Sequence, residues 1–194
     1  QAAPISLALF VLAQDAPGST VAKGAVAATL DSLSAAEHSF ASCRPFVLGK
    51  DAALIDGLSE PGVPRFVAAD GEAACFAAIS TLASELDFDW FLVVTAGDAF
   101  TVGGLMCSAL HLLDAPDLRA LYADELMRDE EGNLSALLRP DFNLDLLLSM
   151  PSGMARHWLF RREAFLEVGG FDPEFADAAE FDLLLRMIDI GGRS

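Results

Sequence analysis

The amino-acid sequence predicts an α/β fold in which a mostly parallel central sheet is flanked by helices. Two observations lead to this prediction. Short apolar runs typical of buried strands alternate with longer segments whose apolar residues recur at helical spacing. This alternation continues from residue 5 to residue 125 without a long linker, and a β-α-β succession is typical of a parallel sheet. In such folds, ligands bind where the carboxyl ends of the strands open a crevice.

The predicted elements follow this pattern in order along the chain. Strands are predicted at residues 5–12, 45–48, 64–68, 90–94 and 118–122, and helical segments at 19–33, 52–58, 72–86 and 102–113. The later segments are a polar hairpin around 131–133, a short amphipathic helix, a strand at 156–160, a helix at 162–168 and an amphipathic helix at 178–190. We therefore predict one domain with two lobes.

Length and composition limit the functional classes. The chain of 194 residues fits one domain, and 53% of its residues are hydrophobic, which indicates a folded globular protein. The formal net charge of −17 argues against a nucleic-acid partner, because phosphate backbones are bound by basic surfaces. The three cysteines form no CxxC or Cys/His cluster, which indicates reduced thiols in a cytoplasmic protein rather than a disulfide framework or structural zinc.

The two ends of the chain bear on its context. The N-terminal apolar run, residues 4–13, is too short to span a bilayer and has no basic segment before it, so we predict a strand and no transmembrane segment. Because the chain begins at Gln1 without Met and ends at Ser194, we expect a fragment of a longer protein. A peripheral membrane or multidomain context is compatible with this expectation.

Two aspartates follow predicted strands. The stretch FLVVTAGDAF, residues 91–100, is an apolar run that delivers Asp98 to its exit, and Asp124 leaves the next predicted strand in the same way. A lone Asp has an ordinary explanation, because Asp is a good turn and helix-capping residue. At the carboxyl ends of neighbouring strands, however, two carboxylates suit a divalent cation or a polyhydroxylated ligand.

The C-terminal two-fifths of the chain carries a series of short motifs. They are YADE at 122–125, DEEG at 129–132, RPDF at 139–142, LLLS at 146–149, LFRREAF at 159–165, VGGFDP at 168–173 and AEFDLLLR at 179–186. In order and spacing this series resembles the family-2 glycosyltransferases of GT-A fold, and residues 90–98 extend the match upstream. The resemblance implies a GT-A-like fold, with a Rossmann-like nucleotide-sugar-binding half over 1–125 and an acceptor half over 126–194.

The resemblance implies a nucleoside-diphosphate sugar as donor and a glycan or lipid-linked hydroxyl as acceptor. It also implies a divalent cation, Mn²⁺ or Mg²⁺, at the exit of the fourth strand, where Asp98 matches the metal-ligating aspartate. Thr95 stands where many relatives carry the first aspartate of this motif, and Gly97 lies between the two. Asp124 and Asp51 are the further candidates for nucleotide-sugar binding.

The resemblance further implies an inverting reaction with a general base near the start of the last helix. The family carries a Glu-Asp pair there, and the register puts Glu180 at the aspartate. We expect Glu180 to deprotonate the acceptor hydroxyl, although a position near a helix N-terminus is expected to lower its pKa and weaken it as a base. Asp182 is the second candidate, and an ion pair with Arg186 at i,i+4 is its alternative role.

Two hypotheses of different classes stay open. The first is an active inverting glycosyltransferase, and the second is a GT-A-fold binding or assembly module that has lost catalysis. Thr95, Gly49 and Ala179 favour the second, because each stands where the family carries an acidic residue. Two weaker candidates are His157, for an acceptor or metal contact or for packing, and Asp15, for a nucleotide contact.

Overall fold

The structure, a computed structural model, describes residues 5–14, 23–34, 39–56, 58, 64–129 and 131–191. The strands are β1 (Ser6–Ala13), β2 (Ser42–Gly49), β3 (Arg65–Ala68), β4 (Trp90–Thr95), β5 (Ala120–Leu121), β6 (Glu125–Arg128), β7 (Leu134–Leu137) and β8 (Leu159–Arg161). The helices are α1 (Lys23–Ser34), α2 (Glu72–Glu85), α3 (Val102–Asp114), α4 (Leu144–Ser149), α5 (Pro151–Met154), α6 (Arg162–Glu167) and α7 (Ala179–Gly191). In the described part of the chain, 3₁₀ helices cover Ala52–Ile55 and Pro173–Ala178. Asp15 and the predicted helical residues 19–22 lie outside the described residues.

Six of these strands form one sheet in the order β3-β2-β1-β4-β8-β5. Strand β1 pairs in parallel with β2 and β4, and β2 pairs in parallel with β3. Strand β8 runs antiparallel to both β4 and β5, while β6 and β7 form a separate hairpin. The predicted α/β fold with a mostly parallel sheet is confirmed.

Strand β8 corrects two expectations from the sequence. It lies between β4 and β5, so Asp98 and Asp124 do not leave directly neighbouring strands. The strand predicted at 156–160 begins only at Leu159, because residues 155–157 form a bend in which His157 has a φ of 55°. A backbone in this left-handed region cannot continue a strand.

The central strands are buried on both faces. Successive side chains of a strand point to opposite faces, and residues 7–11 of β1 are all fully buried. Ala8 and Phe10 belong to the core cluster that includes buried residues of α2, α6 and α7. Leu7 and Leu9 belong to the second cluster, with buried residues of α1 and α3. Among the described residues, none of the covering helices combines the length and the hydrophobicity needed to cross a bilayer.

The parallel pairing brings the carboxyl ends of three strands to one edge of the sheet. Leu12 of β1 lies opposite Thr95 of β4, and Ala13 lies opposite Gly49 of β2. The loops that follow these strands therefore leave from the same edge.

Candidate active site

Among the described residues, Asp98 lines two clefts at this edge of the sheet. The Glu180 cleft has a volume of about 300 Å³, and its lining includes Thr95, Asp98, Arg156, His157 and Glu180. The Tyr122 cleft has a volume of about 280 Å³, and its lining includes Asp98, Tyr122, Asp124, Arg156 and His157. Asp98, Arg156 and His157 thus face both clefts, which makes them the centre of the candidate site.

Asp98 is held by its own loop and by His157. The amide of Thr95 donates to Asp98 Oδ2 at 2.7 Å, and the amide of Asp98 donates to the Thr95 carbonyl at 3.0 Å. Nε2 of His157 lies 3.3 Å from the same Oδ2. Burial acts to raise the pKa of Asp98, but the contacts with His157 and the Thr95 amide outweigh it and hold the pKa below its ordinary value. Asp98 is therefore a carboxylate at neutral pH.

Two side chains of α1 fasten the loop that carries Asp98. The hydroxyl of Thr29, which is fully buried, accepts a hydrogen bond from the Gly97 amide at 2.9 Å. The hydroxyl of Ser32 accepts from the Phe100 amide at 3.0 Å. Gly97 has a φ of 106°, a conformation that favours glycine over any residue with a side chain. The position of Asp98 thus depends on helix α1 as well as on β4.

Replacing Thr29 by Val is expected to lower the free energy of unfolding by about 1–2 kcal/mol, because the Gly97 amide loses its acceptor while the side-chain volume is kept. Chemical denaturation at pH 7 measures this loss. Thr81→Val is the matched control: both hydroxyls donate to a carbonyl four residues earlier, but Thr81 lies exposed on α2 and holds no loop. Equal losses in the two variants would show that the bond to Gly97 contributes nothing.

The bend before β8 directs His157 towards two carboxylates. Its Nδ1 lies 3.1 Å from Glu125 Oε1, and its Nε2 lies 3.3 Å from Asp98 Oδ2. The φ of 55° at His157 is uncommon for a residue with a side chain, although His is among the residues that tolerate it best. Because of this bend, one imidazole ring connects the loop after β4 to the start of β6.

A buried ion pair contacts His157 on the side of its Nδ1 atom. The guanidinium of Arg139, whose side chain is fully buried, contacts Glu125 Oε1, and Nη1 of Arg139 donates to the Arg156 carbonyl at 3.0 Å. Nη2 of Arg156 lies 3.1 Å from Glu125 Oε2. Burial, followed by the nearby charge of Arg156, holds the pKa of Arg139 below its ordinary value. Glu125 therefore joins both arginines to the imidazole of His157.

Glu180 lies in the first turn of α7, half-buried in its cleft. Its Oε2 accepts a long hydrogen bond of 3.4 Å from the Trp158 amide. Burial raises the pKa of Glu180 to about 7, against the opposing effects of His157, Arg139 and Arg156. The expectation that the helix N-terminus would lower this pKa is therefore wrong. Burial is the largest cause of the shift, and the direction of the shift is opposite to the one expected from the helix N-terminus.

Asp124 and Asp51, two further predicted site residues, lie in different parts of the structure. Asp124 lies in the Tyr122 cleft, where its Oδ1 accepts from the Arg139 amide at 2.7 Å. Asp51 lies outside both clefts, exposed after β2, and its Oδ1 accepts from the Ala53 amide at the start of a 3₁₀ helix. The role of Asp51 in this structure is that of a helix cap.

Asp182 also lies outside both clefts. Its Oδ2 accepts from Nε and Nη2 of Arg186 at 2.9 and 2.6 Å, and Nη1 of Arg186 donates to the Val168 carbonyl at 2.7 Å. This is the alternative that the sequence offered for Asp182, an ion pair within α7. Of the two predicted carboxylates on this helix, Glu180 lines the Glu180 cleft, and Asp182 lines neither of the two clefts described above.

Sequence reasoning did not single out Glu125, Arg139 or Arg156. Glu125 and Arg139 belong to the YADE and RPDF motifs, and this was the only indication in the sequence that they contribute to the site. Charged residues are usually exposed, so residue type alone predicts a surface position for all three side chains. Their convergence on His157 depends on how the hairpin and the bend pack together.

The metal ion implied by the resemblance can be tested against the residues present. Among the described residues, no group of three or more His, Cys, Asp and Glu side chains could hold a metal ion. Mg²⁺ and Mn²⁺ are nonetheless bound in many proteins by one or two carboxylates together with substrate phosphates. The carboxylate of Asp98 fits that limited role, provided that a diphosphate supplies further oxygens.

No family model matches the chain, but solved structures match its fold. Residues 1–349 of S. aureus TarS in complex with UDP superpose with a TM-score of 0.63 and 10% identity, over 94% of this chain and 55% of that chain. The mannosyltransferase PcManGT from Pyrobaculum calidifontis, in complex with GDP-Man and Mn²⁺, gives a TM-score of 0.62 and 11% identity, over 98% of this chain and 53% of that chain. The chain has the GT-A fold of glycosyltransferases.

A relative is also similar to part of this chain in amino-acid sequence. The O-antigen biosynthesis protein RfbC of Myxococcus xanthus is 40% identical over 103 residues, which are 52% of this chain and 8% of that protein. The predicted resemblance to the family-2 glycosyltransferases is confirmed. The chain spans about half the length of the two solved proteins and less than a tenth of RfbC.

Proposed function

We propose that this chain is the transferase domain of an inverting glycosyltransferase. It would move a sugar from a nucleoside-diphosphate sugar to a hydroxyl of a glycan or lipid-linked acceptor. The observation that carries the proposal is that Asp98 and Glu180 line one cleft at the carboxyl edge of a GT-A sheet. One carboxylate is ionised at neutral pH, while the other has a pKa of about 7. Two carboxyl groups in such different environments suit two different roles.

Glu180 acts as the general base in this proposal. A base works best when its pKa lies near the operating pH, because it is then substantially deprotonated and still accepts a proton readily. Glu180 takes the proton of the acceptor hydroxyl as the acceptor oxygen attacks the anomeric carbon. The bond from that carbon to the diphosphate breaks on the opposite face, and the nucleoside diphosphate leaves with the bonding electrons.

The donor's diphosphate lies beside Asp98 and Arg156 in this proposal. Arg156 carries a positive charge, its side chain is 43% exposed, and it faces both clefts. A divalent cation held at Asp98 would neutralise charge on the departing diphosphate. Thr95 lines the Glu180 cleft and brings a hydroxyl without the charge of an aspartate, while Gly97 shapes the loop between Thr95 and Asp98 through its positive φ.

The comparisons support a donor of this chemical class. The TarS neighbour is bound to UDP, and the mannosyltransferase neighbour is bound to GDP-Man and Mn²⁺. RfbC is named as an O-antigen biosynthesis protein. We therefore propose a role in polysaccharide biosynthesis, in the cytoplasm or at the inner face of the membrane. Asp124, in the Tyr122 cleft, is proposed to contact the nucleotide sugar, and Asp51 stays a weaker prediction for the same role.

The alternative function is a GT-A-fold module that binds its partners without catalysis. Thr95 and Ala179 favour it, because both lack the acidic group of the family motif. Glu180 weighs against it, since a carboxylate with the pKa of a base still faces the cleft. Donor turnover separates the two hypotheses, because only the enzyme consumes the nucleotide sugar.

Nucleotide binding is the first test of the proposal. Thermal unfolding is measured with UDP or GDP, each with and without Mn²⁺. Saturation at 100 times Kd stabilises a protein by about 2.7 kcal/mol, which corresponds to about 5–10 °C for a chain of this size. We expect such a shift with one of the two nucleotides, and Asp98→Asn should lose most of it.

Asp87→Asn is the matched control for this experiment. Asp87 is fully exposed beside Arg162, before the start of β4 and therefore at the opposite edge of the sheet. Its variant should keep the full nucleotide shift. An absence of any shift under all four conditions would overturn the proposed function.

A further inference from the structure

We propose that a cleft at the amino edge of the sheet binds a small monocarboxylate with an apolar chain, and that Arg161 holds the carboxylate. This Arg161 cleft has a volume of about 460 Å³, larger than the Glu180 and Tyr122 clefts. Its lining includes Trp90 at the start of β4 and Arg161 at the end of β8. Three features lead to this inference: an arginine without a carboxylate partner, apolar walls, and acidic side chains that limit the charge of a ligand.

Trp90 and Arg161 face each other across two antiparallel strands. They form a pair in the register of β4 and β8, so their side chains lie on the same face of the sheet. The guanidinium carbon of Arg161 lies 5.1 Å from the centre of the Trp90 ring, and its Nη2 donates to the Pro116 carbonyl. A guanidinium stacked on an indole keeps a fixed plane, and its planar fork of N–H donors matches a carboxylate. The Trp90 ring therefore preorganises Arg161 for a planar anion.

Arg161 differs from the other arginines with a buried Nε. Within the described residues, the Nε atoms of Arg119, Arg139, Arg156 and Arg161 are buried without a hydrogen-bond partner. The first three guanidinium groups each pair with a glutamate, whereas Arg161 forms no ion pair with a described carboxylate. A buried donor without a partner is unfavourable, and a charged one more so. An anion in the cleft supplies the missing charge.

The walls of the Arg161 cleft are largely apolar. Phe88 and Leu112 are buried side chains of this lining, and Ile5 and Leu113 also belong to it. Such walls favour an alkyl or aryl group, because its apolar surface is removed from water. Sites for small ligands have this composition, in which apolar walls surround a few polar groups that fix the orientation. The ligand therefore combines an anionic group with an apolar body.

Acidic side chains limit the charge of that anion. The lining contains two arginines and three carboxylates, which are Arg161, Arg162, Asp87, Asp89 and Glu163, so its net charge is −1. Nη1 of Arg162 lies 3.9 Å from Asp87 Oδ1, so the charge of Arg162 is already partly matched. A phosphate dianion meets about twice the repulsion from these carboxylates that a monoanion meets. The cleft therefore favours a single negative charge, as on a carboxylate.

The Arg161 cleft is separate from the candidate active site. Trp90 begins β4 and Thr95 ends it, and at about 3.3 Å per residue the two ends lie roughly 17 Å apart. The lining of the Arg161 cleft shares no residue with the Glu180 cleft or the Tyr122 cleft. The Arg161 cleft is thus a second ligand site, and it does not depend on the proposed function.

Octanoate is the probe, because it combines one carboxylate with an apolar chain. The chain contains two tryptophans, Trp90 and Trp158. Trp158 lies outside the Arg161 cleft and packs against Tyr122, with ring centres 4.4 Å apart. The two indole N–H signals in the proton magnetic resonance spectrum are assigned with Trp158→Phe. We expect octanoate to shift the Trp90 signal with a Kd of about 1 mM or tighter, as a ligand of this size allows, and to leave the Trp158 signal unchanged.

Two ligands with the same chain test the charge requirement. Octylamine carries a positive charge, and octyl phosphate is mainly a dianion at pH 8. We expect both to bind at least about tenfold more weakly than octanoate at that pH, because one is repelled by Arg161 and the other by the acidic side chains of the lining.

Two pairs of variants test the residues. Arg161→Met removes the guanidinium but keeps an apolar stem, and it should weaken octanoate binding by about tenfold or more. Arg128→Met is its matched control, because the Arg128 guanidinium also donates to a carbonyl, but on the hairpin. Leu113→Glu places a carboxylate in the lining at an exposed position of α3, and it should weaken binding by a similar factor. Leu110→Glu, also exposed on α3 but outside the lining, should bind octanoate as the unaltered protein does.

The outcomes are distinct. Saturable octanoate binding that weakens in Arg161→Met and in Leu113→Glu, but not in their controls, supports the site. Thermal unfolding shows whether each variant is folded, and if Arg161→Met is not, the two leucine variants decide. An absent or unsaturable shift of the Trp90 signal overturns the site, as does unchanged affinity in either folded variant or equal binding of octylamine or octyl phosphate. No nucleotide or metal ion is present in these measurements, so their failure leaves the proposed function standing.

Discussion

Glu180→Gln is expected to lower the rate of sugar transfer by about 10²–10⁴-fold, the usual contribution of a general base. The amide keeps the size of the side chain and an oxygen that can accept from the Trp158 amide, but it cannot take a proton. Nucleotide binding should stay unchanged. The measurement is release of nucleoside diphosphate from a UDP- or GDP-sugar. Glu163→Gln, an exposed carboxylate in the first turn of α6, is the matched control. A full rate in Glu180→Gln would remove Glu180 from the mechanism.

The pKa of Glu180 also sets the pH dependence of the rate. Only the deprotonated carboxylate acts as a base, so the rate should rise with pH and reach half of its maximum near the Glu180 pKa of about 7. Between pH 6 and pH 8 the active fraction changes by about tenfold for a single group with this pKa. A rate that stays constant from pH 6 to pH 8 would contradict the assignment.

Glu180→Gln should also raise the free energy of unfolding above neutral pH. The folded-state pKa of Glu180 is raised from the ordinary 4.5 to about 7, so the folded protein holds this proton more tightly than the unfolded chain does. The resulting stability is complete below pH 4.5 and is lost as pH rises through 7. At pH 8 the charged carboxylate then costs roughly 1–3 kcal/mol, which Glu180→Gln avoids. Chemical denaturation should show this gain at pH 8 and only a small part of it at pH 5.

Glu125→Ala is expected to lower the free energy of unfolding by about 3–5 kcal/mol. The substitution leaves the guanidinium of Arg139 buried without its carboxylate, and an unpaired buried charge is strongly destabilising. Chemical denaturation at pH 7 measures the loss. Glu167→Ala is the matched control, because Glu167 pairs with Arg119 at 2.8 Å on the surface, where such pairs contribute at most about 1 kcal/mol.

A double variant distinguishes the buried charge from a general loss of packing. Glu125→Leu combined with Arg139→Met replaces both charges by apolar groups, which in buried pairs is often neutral or stabilising. We expect the double variant to regain most of the stability lost in Glu125→Ala. If it is as unstable as the single variant, the loss comes from the shape of the site and not from the unpaired arginine.

The sheet was predictable because its signals are local. Val- and Phe-rich runs bury both faces of a strand, so residues 7–11 and 90–94 identify β1 and β4 without any knowledge of their partners. Predicted helices at 72–86 and 102–113 match α2 and α3 to within a residue or two. The position of Asp98 follows from these elements, because a residue after a central parallel strand must lie at the carboxyl edge.

The sequence-based prediction was wrong where the order of strands in the sheet differs from their order along the chain. The interpretation of β4 and β5 as neighbours failed because β8, from the C-terminal half, inserts between them. The strand predicted at 156–160 was placed too early because hydrophobicity alone cannot reveal the left-handed bend at His157. Both errors concern contacts between residues far apart in the chain.

The sequence by itself determined the fold class, the central strands β1 and β4, and two carboxylates of the candidate site, Asp98 and Glu180. Only the tertiary structure decided their chemistry. Burial raises the pKa of Glu180 to about 7, and the bend before β8 brings the ring of His157 close to both Asp98 and Glu125. The physical reason is that hydration and charge pairing depend on what surrounds a side chain in space, whereas hydrophobic periodicity depends only on its neighbours along the chain.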